Sequence, residues 1–256
     1  MLGSAVRRAA RAAELPKLLL TPGPLTTSPG VREAMAKQDF GSRDKPFIQA
    51  VKDIRSKLLS HLGVDKSSHQ AILVQGAGTC GIEAMLSSLV PRDGNVLIVS
   101  NGVYGLRQRD ICNVLGIKNE LVEYPHHDAY CINDIDKKLT EGDFSHVSVI
   151  HHETTAGVLN PLEETGRMLA DKHPKVRLFV DSMSAAGAYA CPVKDWNIAC
   201  IVSSSNKNYG GVPGFSWLVT SHEVLAESKG HARVFTLDLH AQLAGYEFFF
   251  DYESAK

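Results

Sequence analysis

Lys207 stands in "SSSNKNYGGVPG" (203–214), directly after the apolar run "IACIVSS" (198–204). An amine partly withdrawn from water gives up its proton more easily and becomes a competent nucleophile. Taken alone, such a lysine is more often a surface residue whose stem lies along apolar neighbours. Asp181 closes a second apolar run, "RLFVD" (177–181). A carboxylate there is costly unless a cation or hydrogen bonds compensate it, and its plain alternative is a cap on the turn "SMSAAG". The third group is "QGAGTCGIEA" (75–84), a glycine-rich turn that opens into a helix. Free N–H groups and the positive end of the helix dipole suit an anion there, most simply a phosphate.

Gly76, Gly78 and Gly81 also fit the pattern G-x-G-x-x-G. A dinucleotide site of that kind needs an acidic residue at the end of the next strand, where this chain has Ser100 and Asn101. The turn also lacks the lysine of a P-loop, and a tight turn without a ligand is the remaining plain reading. Phosphate loop, buried aspartate and strand-end lysine together meet the needs of pyridoxal phosphate. The lysine supplies the Schiff base, the aspartate keeps the pyridine nitrogen protonated, and the loop anchors the phosphate. Tyr104 in "NGVYG" has a ring able to lie on a planar cofactor, or simply to pack. Thr154 and Thr155 in "HHETTAG" offer hydroxyls to the phenolic oxygen, or cap a turn. His151 and His152 do not make a metal site, since neighbours on a strand point to opposite faces and no spaced ligand set accompanies them.

The elements that must hold these groups follow from the hydrophobic pattern. Strands are expected at 71–74, 96–100, 120–124, 146–152, 177–181, 198–204 and 215–219, and helices at 80–90, 104–117, 131–140 and 162–173. In the first helix Ile82, Met85, Leu86, Leu89 and Val90 mark one buried face. Alternation of strand and helix predicts an α/β fold, a mostly parallel sheet covered by helices on both faces. Ligands of such sheets sit beyond the carboxyl ends of the strands. The chemically useful loops all fall there.

The chain has 27 basic and 28 acidic residues and a net charge of -1, which provides no electrostatic footprint for nucleic acid or an anionic membrane. No apolar run reaches the roughly 20 residues of a membrane span. Five irregularly spaced cysteines indicate neither a zinc site nor a disulfide framework, so a reducing compartment fits. Residues 1–16 form a basic extension, read either as an organelle-targeting segment or as a frayed helix, which leaves cytoplasm or mitochondrion as the expected location.

Six segments carry a resemblance: "LLLTPGPLTTS" (18–28), "GAGTCGIEA", "VLIVSNGVYG", "HHETTAGVLNP", "FVDSMSAAGA" and "SSSNKNYGGVPGF". Together they resemble the class V pyridoxal-phosphate aminotransferases of fold type I, most nearly the branch acting on 2-aminoethylphosphonate. The alanine– and serine–glyoxylate aminotransferases are wider relatives. The resemblance runs from about 18 to 243. It implies that Lys207 is the Schiff-base lysine and proton carrier, Asp181 the pyridine partner and Tyr104 the stacking residue. By the same resemblance Ala77, Gly78 and Thr79 cradle the phosphate with help from Asn206, Thr155 contacts the phenolic oxygen, and Arg43 in "GSRD" lies near the substrate. The implied reaction moves the amino group of 2-aminoethylphosphonate to pyruvate, giving phosphonoacetaldehyde and alanine, in a homodimer. Family members continue into a smaller C-terminal domain. Here a large domain at 17–245 is expected to be followed only by an aromatic tail at 246–256. A glyoxylate-type aminotransferase, or a truncated form that only binds cofactor or dimerises, are the alternatives.

Overall fold

The computed structural model describes residues 18–246. The basic extension 1–16 and the aromatic tail, apart from the helix-ending backbone of Tyr246, lie outside the described residues. Two helices come first, α1 (Pro29–Met35) and α2 (Lys45–His61). Ser28 caps α1 by accepting from the backbone N–H of Val31 at 3.3 Å, and a proline occupies the first turn of each helix, where its missing N–H costs nothing. Then follow β1 (His69–Gln75), α3 (Gly78–Leu89), β2 (Asn95–Ser100), α4 (Val103–Val114) and β3 (Lys118–Glu123). The chain continues through α5 (Ile132–Glu141), β4 (His146–Ile150), a small hairpin of β5 (His152–Glu153) and β6 (Val158–Leu159), and α6 (Leu162–Lys172). It closes with β7 (Arg177–Asp181), β8 (Ile198–Ser204), β9 (Phe215–Ser221), α7 (His222–Glu227), a single 3-10 turn and α8 (Leu239–Tyr246).

Seven strands form one sheet in the order β1-β9-β8-β7-β4-β2-β3. It is parallel except at β9, which runs antiparallel to both β1 and β8. Successive residues of each strand feed opposite cores, which is why the strands read as unbroken apolar runs. Leu97, Val147, Val180 and Trp217 pack on one face with Leu58, Ile135 and Leu169 from α2, α5 and α6. Ile98, Phe179, Val202 and Leu218 pack on the other with Ile82, Cys112 and Leu225 from α3, α4 and α7. The expected mostly parallel sheet, covered on both faces, is therefore present.

Two details differ from the sequence reading. The strict strand–helix alternation ends at β7, because 182–197 forms turns rather than a helix and β8 passes directly to antiparallel β9 through the Lys207 loop. The expected strand 146–152 stops at Ile150. There the Asn160 side-chain amide donates to the Ile150 carbonyl at 2.8 Å, and the Asn160 backbone N–H donates to His151 O at 2.9 Å. Those carbonyls leave the sheet, and the chain turns into the β5–β6 hairpin. Among the described residues no helix is long and apolar enough to cross a membrane.

Candidate active site

The carboxyl ends of β1, β2, β7 and β8 open on one cleft of about 230 Å³. Ala77, Gly78 and Thr79 line it from the start of α3. Ala77 is extended there and no side chain caps the helix; Cys80 N–H donates to Ala77 O at 2.8 Å, while the N–H groups of Gly78 and Thr79 keep their donor capacity. Tyr104 comes from the start of α4, with the Arg107 guanidinium carbon 4.9 Å from its ring centroid. Arg107 also donates to Thr79 Oγ1 at 3.5 Å, which places a permanent cation beside the helix terminus.

Asp181 lies at the floor, 5% exposed, and its Oδ1 accepts from the Met183 backbone N–H at 3.0 Å. Burial pushes its carboxyl up to about 6, and the nearby Glu153 charge adds to that rise. The Met183 bond, Arg107 and the Gln108 side chain pull the other way. Lys207 enters from the turn after β8, and its Nζ donates to Gly23 O at 2.8 Å. Its ammonium is held below the usual lysine range mainly by partial burial, with Asp181 opposing and Arg107 reinforcing the effect. Asn206, buried beside it, accepts from Ser204 Oγ at 2.9 Å.

The "TPGP" segment folds over the lysine. Gly23 has φ +144, and a Cβ there would stand 2.6 Å from Lys207 Cδ and against the Asn206 carbonyl. Only glycine tolerates both the backbone angle and the approach. This roof over Lys207 comes from 184 residues earlier in the chain.

Of the residues named from sequence, Lys207, Asp181, Ala77, Gly78, Thr79, Tyr104 and Asn206 are brought to this one cleft. Thr155 and Arg43 are not. Thr155 Oγ1 donates to Glu153 Oε1 at 2.6 Å and so is committed to the hairpin, while its neighbour Thr154 lines the cleft. Arg43 sits exposed in a turn closed by Gly41 N–H to Asp44 Oδ2 at 2.7 Å. His151 and His152 do not share one strand. Their Nδ1 atoms meet different serines, Ser182 Oγ at 3.0 Å and Ser184 Oγ at 2.8 Å. Arg107, Gln108 and the fully buried Glu153 escaped the sequence reading, although Arg107 and Gln108 lie one helical turn beyond Tyr104.

The sequence profile described as aminotransferase class-V matches residues 32–234. The chain belongs to the class V aminotransferases. It is 39% identical over 228 residues to the 2-aminoethylphosphonate–pyruvate transaminase of Pseudomonas putida (strain F1), covering 89% of this chain and 61% of that protein. It is 40% identical over 226 residues to a bifunctional phosphonoacetaldehyde hydrolase/aminoethylphosphonate transaminase of Clostridioides difficile (strain 630), covering 88% of this chain and 35% of that protein. This chain thus spans less than two thirds of the length of these relatives. Among solved structures, the alanine–glyoxylate aminotransferase of Nostoc sp. superposes with a TM-score of 0.81 at 26% identity, over 93% of this chain and 63% of that one. The aspartate aminotransferase of Thermus thermophilus shares the fold with a TM-score of 0.82 at 24% identity, over 91% of this chain and 64% of that one. Class V aminotransferases are pyridoxal-phosphate enzymes, and the donor set in the cleft suits that group. A free helix terminus beside Arg107 fits a phosphate, and a buried carboxylate opposite an amine fits a protonated pyridine and an aldehyde.

Proposed function

We propose that this chain provides the cofactor-holding half of a transaminase that moves the amino group of 2-aminoethylphosphonate to pyruvate, giving phosphonoacetaldehyde and alanine. The observation that carries this reading is the convergence of Lys207, Asp181 and the α3 terminus on one cleft, in a chain 39% identical to a transaminase of that name. Pyridoxal phosphate, when bound, supplies the electron sink that lets an amine-bearing carbon lose a proton. The N–H groups of Gly78 and Thr79, the Thr79 hydroxyl and Asn206 would hold the phosphate, with Arg107 neutralising its charge. Asp181 would hold the proton on the pyridine nitrogen, which its ionised form stabilises most. Tyr104 would keep the ring flat and exclude water from one face. Lys207 Nζ, eased toward its neutral form by burial, would carry the cofactor and then move a proton as general base. Thr154, which lines the cleft and donates to Ser184 Oγ at 2.8 Å, would be the nearer hydroxyl for the phenolic oxygen, in place of Thr155.

A second copy of the chain is part of this reading. Helix α1 buries no residue, and Leu18, Leu20 and Met35 stand 66%, 85% and 63% exposed. Such a surface suits an apolar interface, and sedimentation of the chain at micromolar concentration tests it. A dimer supports the reading and a monomer removes this part of it.

The test of function is the absorption spectrum of the purified chain with pyridoxal phosphate, beside Lys207→Ala, followed by addition of amine. A near-visible band that requires Lys207 and changes with 2-aminoethylphosphonate but not with serine supports the proposal; alanine, the product of the pyruvate half-reaction, should change it as well. A response to serine or alanine with none to 2-aminoethylphosphonate favours a glyoxylate-type aminotransferase, a reading suggested by the similarity to the Nostoc enzyme. A Lys207-dependent band that no amine alters leaves a cofactor-binding protein without turnover. No band refutes the assignment.

A further inference from the structure

Gln108 is 1% exposed yet lines the cleft, on the turn of α4 that follows Tyr104. Its Oε1 accepts from Ser148 Oγ at 2.6 Å. Ser148 is fully buried on β4, where it pairs with Phe179 of β7, two positions before Asp181. Among the described residues the amide nitrogen has no hydrogen-bond partner, yet the side chain lines the same cleft as Asp181 and favours its ionised form. A buried amide nitrogen left without a partner costs about 1–3 kcal/mol. Its presence in a packed interior therefore points to a partner that the site itself supplies.

Hydrogen-bond chemistry decides which way the amide faces. The Ser148 hydroxyl can donate or accept and so fits either end of the amide. An ionised carboxylate can only accept, so only the NH2 end is tolerated beside Asp181. With its oxygen held by Ser148, Gln108 must present both N–H groups to the cleft floor. Met183 N–H already takes Asp181 Oδ1 at 3.0 Å, which leaves the other carboxylate oxygen for the cleft and for this amide.

We propose that Gln108, oriented by Ser148, is a positioning residue that donates to the Asp181 carboxylate and keeps it ionised and aimed into the cleft. The proposal rests on the reading of Asp181 as the partner of the cofactor's pyridine nitrogen. The charges facing Asp181 are Glu153 from the hairpin, Arg107 from α4 and Lys207 from the turn after β8. His151, whose backbone N–H donates to Asp181 O at 2.8 Å, is held neutral by burial, with its pKa lowered to about 4. Glu153 opposes ionisation, and Arg107 also serves the phosphate end of the cleft. Gln108 thus joins the Met183 backbone N–H as an uncharged donor that stabilises the anion without competing for the phosphate.

The test uses the full chain carrying 13C-labelled aspartate carboxyls, titrated by NMR without cofactor, with the Asp181 signal assigned by its loss in Asp181→Asn. The wild-type midpoint is expected at about 6. Gln108→Met, similar in volume but unable to donate, should move it up by about 0.5–1 pH unit. Ser148→Ala, which frees the amide to rotate, should move it the same way by less. In a second arm, pyridoxal phosphate affinity at neutral pH should fall about threefold to tenfold in Gln108→Met. An unmoved midpoint in a folded Gln108→Met chain that still binds the cofactor as wild type overturns the proposal. If Gln108→Met does not fold, an unmoved midpoint in Ser148→Ala overturns it. A moved midpoint in a chain whose wild type never binds pyridoxal phosphate leaves the Gln108–Asp181 contact standing and refutes the functional reading instead.

Discussion

Gly105→Ala isolates the contact that places Tyr104 and Arg107. Gly105 is the third residue of α4, where the helix crosses the end of β2. A Cβ there would stand 2.5 Å from both Cβ and Oγ of Ser100 and 2.7 Å from Ser100 Cα. Carbon atoms rest about 3.5–4.0 Å apart, so the helix start must retreat by about 1 Å. Ser100 cannot give way, because it is fully buried and its Oγ donates to Gly102 O at 2.9 Å. Two effects oppose each other in stability. Overpacking costs about 1–3 kcal/mol, while alanine gains about 1 kcal/mol over glycine as a helix former. The net loss in stability is therefore small, about 0–2 kcal/mol. The site has no such compensation, because Tyr104 directly precedes the displaced residue and Arg107 follows two positions later. Pyridoxal phosphate affinity is expected to fall tenfold or more, equal to about 1.4 kcal/mol. Urea unfolding and a cofactor titration read the two quantities separately, with Asp110→Ala on the exposed face of α4 as the control for propensity. A Gly105→Ala chain that binds the cofactor as tightly as wild type would refute the claim that this close approach sets the cleft wall.

Other substitutions probe charge and anchoring. Burial raises Asp181 to about 6, so the folded chain keeps a proton that the unfolded chain has lost, and this group makes stability fall as pH rises from about 4 to about 6. Asp181→Asn does not titrate, so by urea midpoints it should gain on the order of 3 kcal/mol relative to wild type between pH 4 and 7. His146 and His151, held down to about 3 and about 4 by burial, act in the opposite sense. Their stabilising effect is present above about pH 6.5 and is lost as pH falls, so Asp181→Asn should unfold more steeply in acid than wild type. Arg233 donates to the carbonyls of Val90 at 2.8 Å and Pro91 at 3.0 Å, at the far end of α3. Arg233→Met should cost about 2 kcal/mol in thermal or urea unfolding while leaving cofactor affinity within twofold of wild type. Tyr104→Phe should retain cofactor affinity, whereas Tyr104→Ala should lose about tenfold in a fluorescence titration, since stacking contributes about 0.5–1.5 kcal/mol beyond burial. Equal losses in both would transfer the role from the ring to the hydroxyl.

Much of this protein was legible in one dimension because its signals are local. Runs such as "RLFVD" and "IACIVSS" became β7 and β8 with the bounds read from them, since a strand buried on both faces must be apolar at every position. Once the strands are parallel, their carboxyl ends share one edge, so Lys207, Asp181 and the "GAGT" turn had to meet. Helices α1 and α2 carried a weaker signal and went unread: α1 buries nothing, and α2 buries only Val51, Leu58 and Leu59 along 17 residues.

Tertiary structure alone decided the rest, because those contacts join residues far apart in sequence. No local pattern announces that Gly23 roofs Lys207 from 184 positions away, or that Ser148 holds the Gln108 amide oxygen across 40. The choice between Thr154 and Thr155 is of the same kind. Both are adjacent hydroxyls in one motif, yet Thr155 donates to the buried Glu153 carboxylate while Thr154, which lines the cleft, donates to Ser184 Oγ. Residue types and periodicity determined which groups reach the sheet edge. The direction each one faces there is set by hydrogen bonds that only the closed fold brings together.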